Sequence, residues 1–158
     1  MTLPTLTRLS TSSGGMPKLA VLFAHVSPEG VEGDWQKNRK VHGGPDRAVC
    51  LYSEELYAQL QSEGINVQPG DLGENFTTRG IDLHALAPGH RLAVGDCIIE
   101  ITAVRVPCTQ LNVWHDGLHK LILGRSGWMA KVITAGAVRP GDAIQLGPQT
   151  PQAVERGE

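Results

Sequence analysis

Aromatic residues are scarce in this chain, at 4%, and no apolar run approaches the length of a membrane span. The opening MTLPTLTRLSTSSGG lacks the apolar core of a secretory leader. Cysteine is confined to Cys50, Cys97 and Cys108, with no CxxC spacing among them. An odd, scattered set of that kind signals neither a disulfide framework nor a zinc knuckle. Charge of either sign is not in excess: 14 lysines and arginines face 16 aspartates and glutamates, a formal net charge of −2. Nothing therefore drives the whole molecule onto nucleic acid or an anionic membrane, and any anion site has to be local. Together these absences point to a cytoplasmic protein, in whose reducing compartment the thiols stay free.

What is present fits one domain. A chain of 158 residues can bury a sizeable core, and 41% hydrophobic with 19% charged residues is an ordinary globular balance. Glycine (19) and proline (10) are plentiful, which favours short strands and many turns over long helices.

Residues 2–10 alternate loosely and are expected as a first strand, followed by the loop STSSGGMPK and a second apolar run, LAVLFAHV. A polar, glycine-containing stretch, SPEGVEGDWQKNRK, comes next. VHGGPDRAVCLYS reads as a tight Gly-Gly-Pro turn feeding the short strand AVCLY. The clearest helix is SEELYAQLQSEG. Ser53 suits the N-cap, Glu54 and Glu55 the positive end of the dipole, Leu56 and Leu60 one face, and Gly64 the exit. Gly70-Asp71, Gly95-Asp96 and Gly141-Asp142 look like three similar turns, too unequally spaced for a true repeat. Residues 118–123 suit a short helix, and WMAKVITAG a returning strand. The expected fold is mainly β with a few helices, a closed or nearly closed barrel over residues 1–147, because closure removes exposed edges. Residues 148–158 read as a loose tail.

The chemistry concentrates after the run IIEITAV. Proline cannot donate to a sheet ladder, so Pro107 should end or edge the strand and leave Cys108 at its mouth. Strict alternation places Ile99, Ile101, Ala103 and Arg105 on one face and Glu100, Thr102 and Val104 on the other. A guanidinium on an apolar row needs a partner. That partner is either an internal carboxylate, such as a turn aspartate, or an anionic ligand gripped in bidentate fashion. Cys108 has two readings as well: a small buried hydrophobe, or a thiolate favoured by nearby positive charge and suited to a thiophilic metal. Cys50 and Cys97 lie in apolar strand sequence and read as core.

RKVHGGPDRAV gathers Arg39, Lys40, His42, Asp46 and Arg47 around its turn, where they either cradle a phosphate or form routine surface ion pairs. Gly14, Gly15 and Lys18 invite the same two readings. Neither loop matches a Walker A or dinucleotide fingerprint. In GENF, Asn75 either holds a polar ligand edge or caps its own turn. His25, His84, His90, His115 and His119 show no metal-like spacing.

Taken together, KVHGGPDRAV, GDLGENFT, the Gly-Asp-led strand ending in RVPC, and the closing VRPGDAIQL resemble the MOSC domain. This is the domain found at the C-terminus of molybdenum cofactor sulfurases, here in its small stand-alone bacterial type. The blocks match in order and spacing over nearly the whole chain. The resemblance implies a β-rich, barrel-like fold with a shallow pocket at one end, and a molybdenum cofactor of the molybdopterin type. Cys108 would be the metal ligand, as in the amidoxime-reducing and hydroxylaminopurine-detoxifying relatives, or a persulfide carrier, as in other members. Arg105, with Lys40, His42, Asp46, Arg47 and Lys18, would face the anionic pterin-phosphate, and Glu74 and Asn75 would shape the pocket floor. His42 and Asp46 have the alternative of holding their own turn together.

The implied activity is reduction of N-hydroxylated small molecules with Cys108 as catalytic ligand. Sulfur transfer is the alternative enzymatic reading, and non-catalytic cofactor binding or delivery a third. No pyridoxal-phosphate-dependent desulfurase or ferredoxin-like domain accompanies these motifs, so pyridoxal phosphate is not expected. Electrons or sulfur would come from an external donor protein. The segment TQLNVWHDG also differs from the helix-rich tail of larger bacterial relatives.

Overall fold

Eight strands hydrogen-bond side by side, and the two faces they create are covered in different ways. The computed structural model describes residues 3–34 and 45–151. In chain order these carry β1 (Thr5–Thr11), β2 (Leu19–Val21), β3 (Ala24–Ser27), β4 (Gly30–Val31), β5 (Val49–Ser53), α1 (Glu54–Ser62) and β6 (Phe76–Arg79). Then follow β7 (His90–Val94), β8 (Cys97–Val104), α2 (Leu118–Leu121), β9 (Trp128–Thr134), β10 (Gly136–Val138) and β11 (Ile144–Gln149). Short 3-10 turns occupy Pro45–Arg47, Leu83–Ala85 and Thr109–Val113. The large sheet runs β11-β7-β8-β9-β5-β6-β1-β2, and a small sheet runs β10-β3-β4. Its pairings are antiparallel except for β5 with β6, which are parallel and joined through α1.

The sheet is not closed into a barrel, which corrects the sequence expectation. The reason lies in LAVLFAHV, which is not one strand. It breaks at Leu22 and Phe23, both exposed, and β3 leaves to pair with β10 in the second sheet. β2 therefore stays as an edge. Among the described residues closure reaches only as far as one isolated bridge between Thr5 and Ala143, supported by Leu6 N–H to Asp142 O (2.9 Å) and Ile144 N–H to Pro4 O (2.9 Å).

One face of the sheet wraps the main apolar cluster. Leu6, Leu9, Val49, Leu51, Phe76, Ile99, Ile101 and Ala130 pack there, joined by Ala24, Val26, Val31 and Val138 from the small sheet. On the other face Cys50, Tyr52 and Met129 meet Leu56, Tyr57 and Leu60 of α1, with Leu111, Leu118 and Ile122. β5 supplies both clusters by simple alternation, as the period of a strand requires. Each leucine that α1 buries here is worth roughly 2 kcal/mol in apolar transfer. The helix begins as its sequence indicates: Ser53 Oγ accepts from Leu56 N at 3.0 Å, and Gly64 takes φ 86° just past the end. No helix among the described residues is long and apolar enough to cross a membrane.

Candidate functional site

The position of Arg105 depends on a one-residue irregularity in β8. Ile101 pairs with Ala130, but Ala103 pairs with Met129, so Thr102 is an extra residue in the ladder. The Thr102 hydroxyl lies within hydrogen-bond reach of the Asp46 and Met129 carbonyls. The bulge reverses the alternation downstream. Arg105 does not continue the row of Ile99 and Ile101, as strict alternation predicts. It lies on the opposite face, among Cys50, Tyr52 and Cys108. Burial disfavours its charge, yet those three neighbours together raise its pKa above the ordinary arginine value. Two of the three turn aspartates are occupied locally: Asp71 Oδ2 accepts from Gln68 N (2.8 Å), and Asp142 Oδ2 from Arg139 N (2.8 Å).

Cys108 is a free thiol in a half-buried position, at the N-cap of the 3-10 turn Thr109–Val113. That turn is anchored from both sides, with Leu111 in the second cluster and Trp114 Nε1 donating to Asp71 O at 2.9 Å. The other two thiols are core, as their sequence context indicates. Burial pushes Cys50 up to about 11 and Cys97 up to about 12, so both are protonated near neutrality.

Glu74 and Asn75 are both fully buried beneath this face. The Glu74 carboxylate accepts from Tyr57 Oη (2.7 Å), Thr77 Oγ1 (2.8 Å) and Gly70 N (3.1 Å). Burial raises its pKa, against the pull of those donors. Gly70 has φ 94°, and a side chain there would press on the Lys18 carbonyl. Asn75 joins three segments: its Oδ1 accepts from Cys50 N at 3.1 Å, and its Nδ2 donates to Asp34 Oδ2 at 2.9 Å and to Ser10 O at 3.3 Å. Neither residue simply caps its own turn.

Lys18 is buried with its ammonium 2.6 Å from Asp34 Oδ2, and Asp34 Oδ1 accepts from Ser12 N at 2.9 Å. Of the two sequence readings of Lys18, this geometry gives it an internal ion pair. The structure thus brings Lys18, Glu74, Asn75, Arg105 and Cys108 around Cys50 and Tyr52. Asp46 and Arg47 stand exposed in their 3-10 turn, and Lys40 and His42 lie outside the described residues. Sequence reasoning missed Asp34, Tyr52, Tyr57 and Ser126. Tyr52 was detectable in principle, because alternation in AVCLY puts it on the same face as Cys50. Among the described residues no cluster of three or more His, Cys, Asp or Glu is arranged for a metal ion.

The fold is thus mainly β and open where the sequence blocks implied a barrel, with a half-buried thiol just beyond the end of β8. The family model for the MOSC domain matches residues 38–145, and the chain belongs to that family. Among curated relatives it is 35% identical to Protein YiiM of Escherichia coli (strain K12) over 126 residues, 74% of this chain and 56% of that protein. It is 30% identical to the uncharacterized protein YflK of Bacillus subtilis (strain 168) over 141 residues, 85% of this chain and 63% of that one. The chain thus spans less than two thirds of the length of either. The crystal structure of YiiM from Escherichia coli superposes with a TM-score of 0.75 at 25% identity, covering 96% of this chain and 73% of that one. A crystal structure titled only as a hypothetical protein gives 0.77 at 29% identity, covering 91% and 68%.

Proposed function

We propose that the protein binds a molybdenum-pterin cofactor and reduces N-hydroxylated compounds, with Cys108 Sγ holding the metal. The observation that carries this reading is a free, half-buried thiol just beyond the end of β8, within electrostatic reach of the Arg105 guanidinium. The residues suit such a group. With Cys50 and Cys97 buried and protonated, Cys108 is the thiol open to a soft metal. Arg105 offers a planar cation matched to phosphate or another oxyanion. Lys18 already neutralises Asp34, so among the described residues the grip on an anion rests on Arg105, with Arg47 at the neighbouring turn.

When bound, the molybdenum centre supplies two-electron redox chemistry. The protein's part is to fix the thiol and the guanidinium on one face of β8 and its extension. Fully satisfied buried groups, Glu74 and Asn75, keep the floor beneath them rigid. The net reaction takes R–NHOH, two electrons and two protons to R–NH2 and water. An external electron-donor protein is therefore part of the proposal.

The test is elemental analysis of protein made in a host that assembles the cofactor. Molybdenum and phosphorus in wild type, both absent from a folded Cys108→Ala variant, support the reading. Folded wild-type protein carrying neither element overturns it. The partial exposure of Cys108 also favours a persulfide carrier. Cyanide-releasable sulfur on Cys108 without metal would establish that function instead.

A further inference from the structure

Tyr52 and Ser126 form a polar contact inside the second apolar cluster. Tyr52 is fully buried, and its hydroxyl lies 3.0 Å from Ser126 Oγ. Ser126 Oγ is also hydrogen-bonded to the backbone carbonyl of Arg105. Donor and acceptor roles follow by elimination. A carbonyl only accepts, so the single Ser126 hydrogen goes to the Arg105 carbonyl. The Ser126 oxygen must then accept from the Tyr52 O–H. That leaves the Tyr52 oxygen as an acceptor, and the guanidinium of Arg105 is its hydrogen-bonding neighbour. The result is a circuit from the tip of Arg105 through Tyr52 and Ser126 to the base of the same residue.

The backbone reinforces this circuit. Arg105 N–H donates to Gly127 O at 2.9 Å. Gly127 lets β9 approach β5 closely, because a Cβ there would overlap the Leu51 carbonyl. Ser126 is thereby brought to Tyr52.

We infer that Tyr52 and Ser126 are positioning residues, which hold the Arg105 guanidinium at a fixed point beside Cys108. This deepens the proposed function and rests on its reading of Cys108 and Arg105 as the site. A long arginine side chain samples many positions unless it is anchored, and a charge that wanders stabilises an anion less than one held in place. A buried tyrosine that merely filled space would have no need of a directed chain ending on the arginine's own carbonyl.

The experiment reads the charge next to the thiol without any cofactor. Cys108 in the full chain is alkylated with anionic iodoacetate or neutral iodoacetamide, and modification is followed by peptide mass spectrometry. The ratio of the two rates cancels changes in access and reports local positive charge. Tyr52→Phe and Ser126→Ala are each expected to lower that ratio roughly threefold or more, since moving a cation a few ångströms away weakens its field appreciably. Ser126→Thr, which keeps the hydroxyl, is expected to stay near wild type. Arg105→Gln sets the floor. A wild-type ratio in both hydroxyl-deleted variants, with a low one in Arg105→Gln, shows that the guanidinium needs no relay and overturns the inference alone. An unchanged ratio in Arg105→Gln removes the charge from the thiol's surroundings, and both this inference and the site reading fail together. Should Tyr52→Phe not fold, the Ser126→Ala and Ser126→Thr pair decides.

Discussion

Replacing Asp34 by asparagine removes the counter-charge of Lys18 at a place where the two side chains are 4% and 8% exposed. Breaking a buried pair by taking one partner costs about 3–5 kcal/mol, because the remaining charge stays desolvated. Asp34 also accepts from Asn75 Nδ2 and Ser12 N, both at 2.9 Å, and an amide preserves only part of that acceptance. The upper half of the range is therefore expected. With a urea m-value of roughly 2 kcal/mol/M, a loss of about 4 kcal/mol lowers the unfolding midpoint by about 2 M. Urea titration followed by tryptophan fluorescence measures it. The double replacement Lys18→Met with Asp34→Asn should recover part of the loss, since it removes the unpaired ammonium while the amide oxygen still accepts from one neighbouring donor. A midpoint shift below about 0.5 M in Asp34→Asn would place the pair in the surface range and refute the argument. Lys18→Met adds a functional arm. If the ammonium gripped phosphate instead, this variant would lose bound phosphorus with its stability intact.

Thr78 has a fully buried hydroxyl without a hydrogen-bond partner among the described residues, so Thr78→Val should stabilise by about 1 kcal/mol and raise Tm by roughly 2–4 °C. A lower Tm on calorimetry would sink that reasoning. Burial pushes the Glu100 pKa up, but Arg91 Nε at 3.0 Å and Lys131 Nζ at 3.4 Å outweigh it and hold the carboxyl below its ordinary 4.5. A depressed folded pKa means that the stabilisation is complete above the ordinary value and is lost as pH falls through the folded one. Glu100→Gln should therefore narrow the gap between stability at neutral pH and in acid, as measured by urea unfolding across the acid limb. An unaltered pH profile would contradict it. Ser53→Ala should cost about 1 kcal/mol by freeing the Leu56 N–H, and an unchanged urea midpoint would show the cap to be idle.

Local signals were legible in the sequence, and long-range pairing was not. The helix after Ser53 needs only its own cap, its acidic first turn and the glycine beyond it, and all three lie within a dozen residues. Pro107 likewise announced the end of β8, which stops at Val104. By contrast, LAVLFAHV reads as one strand because nothing within it reveals that β2 pairs with β1 while β3 pairs with β10. The face of Arg105 was misread for the same reason. The Thr102 bulge is defined by registration against β9, more than twenty residues further on. Asp34, Tyr52 and Ser126 reach the site from three separate segments, and a serine beside a glycine carries no local mark of such a role.

The surplus residue at Thr102 makes β8 two strands spliced out of phase. Upstream, the frame serves the hydrocarbon interior; downstream, it serves the thiol and the guanidinium. Drawing that residue into the regular ladder would leave Ile99 and Ile101 undisturbed while swinging Arg105 inward to confront them and Val104 outward in its stead. The packing of the interior and the placement of Cys108 and Arg105 thus answer to separate halves of one strand, so long as the splice between them is kept.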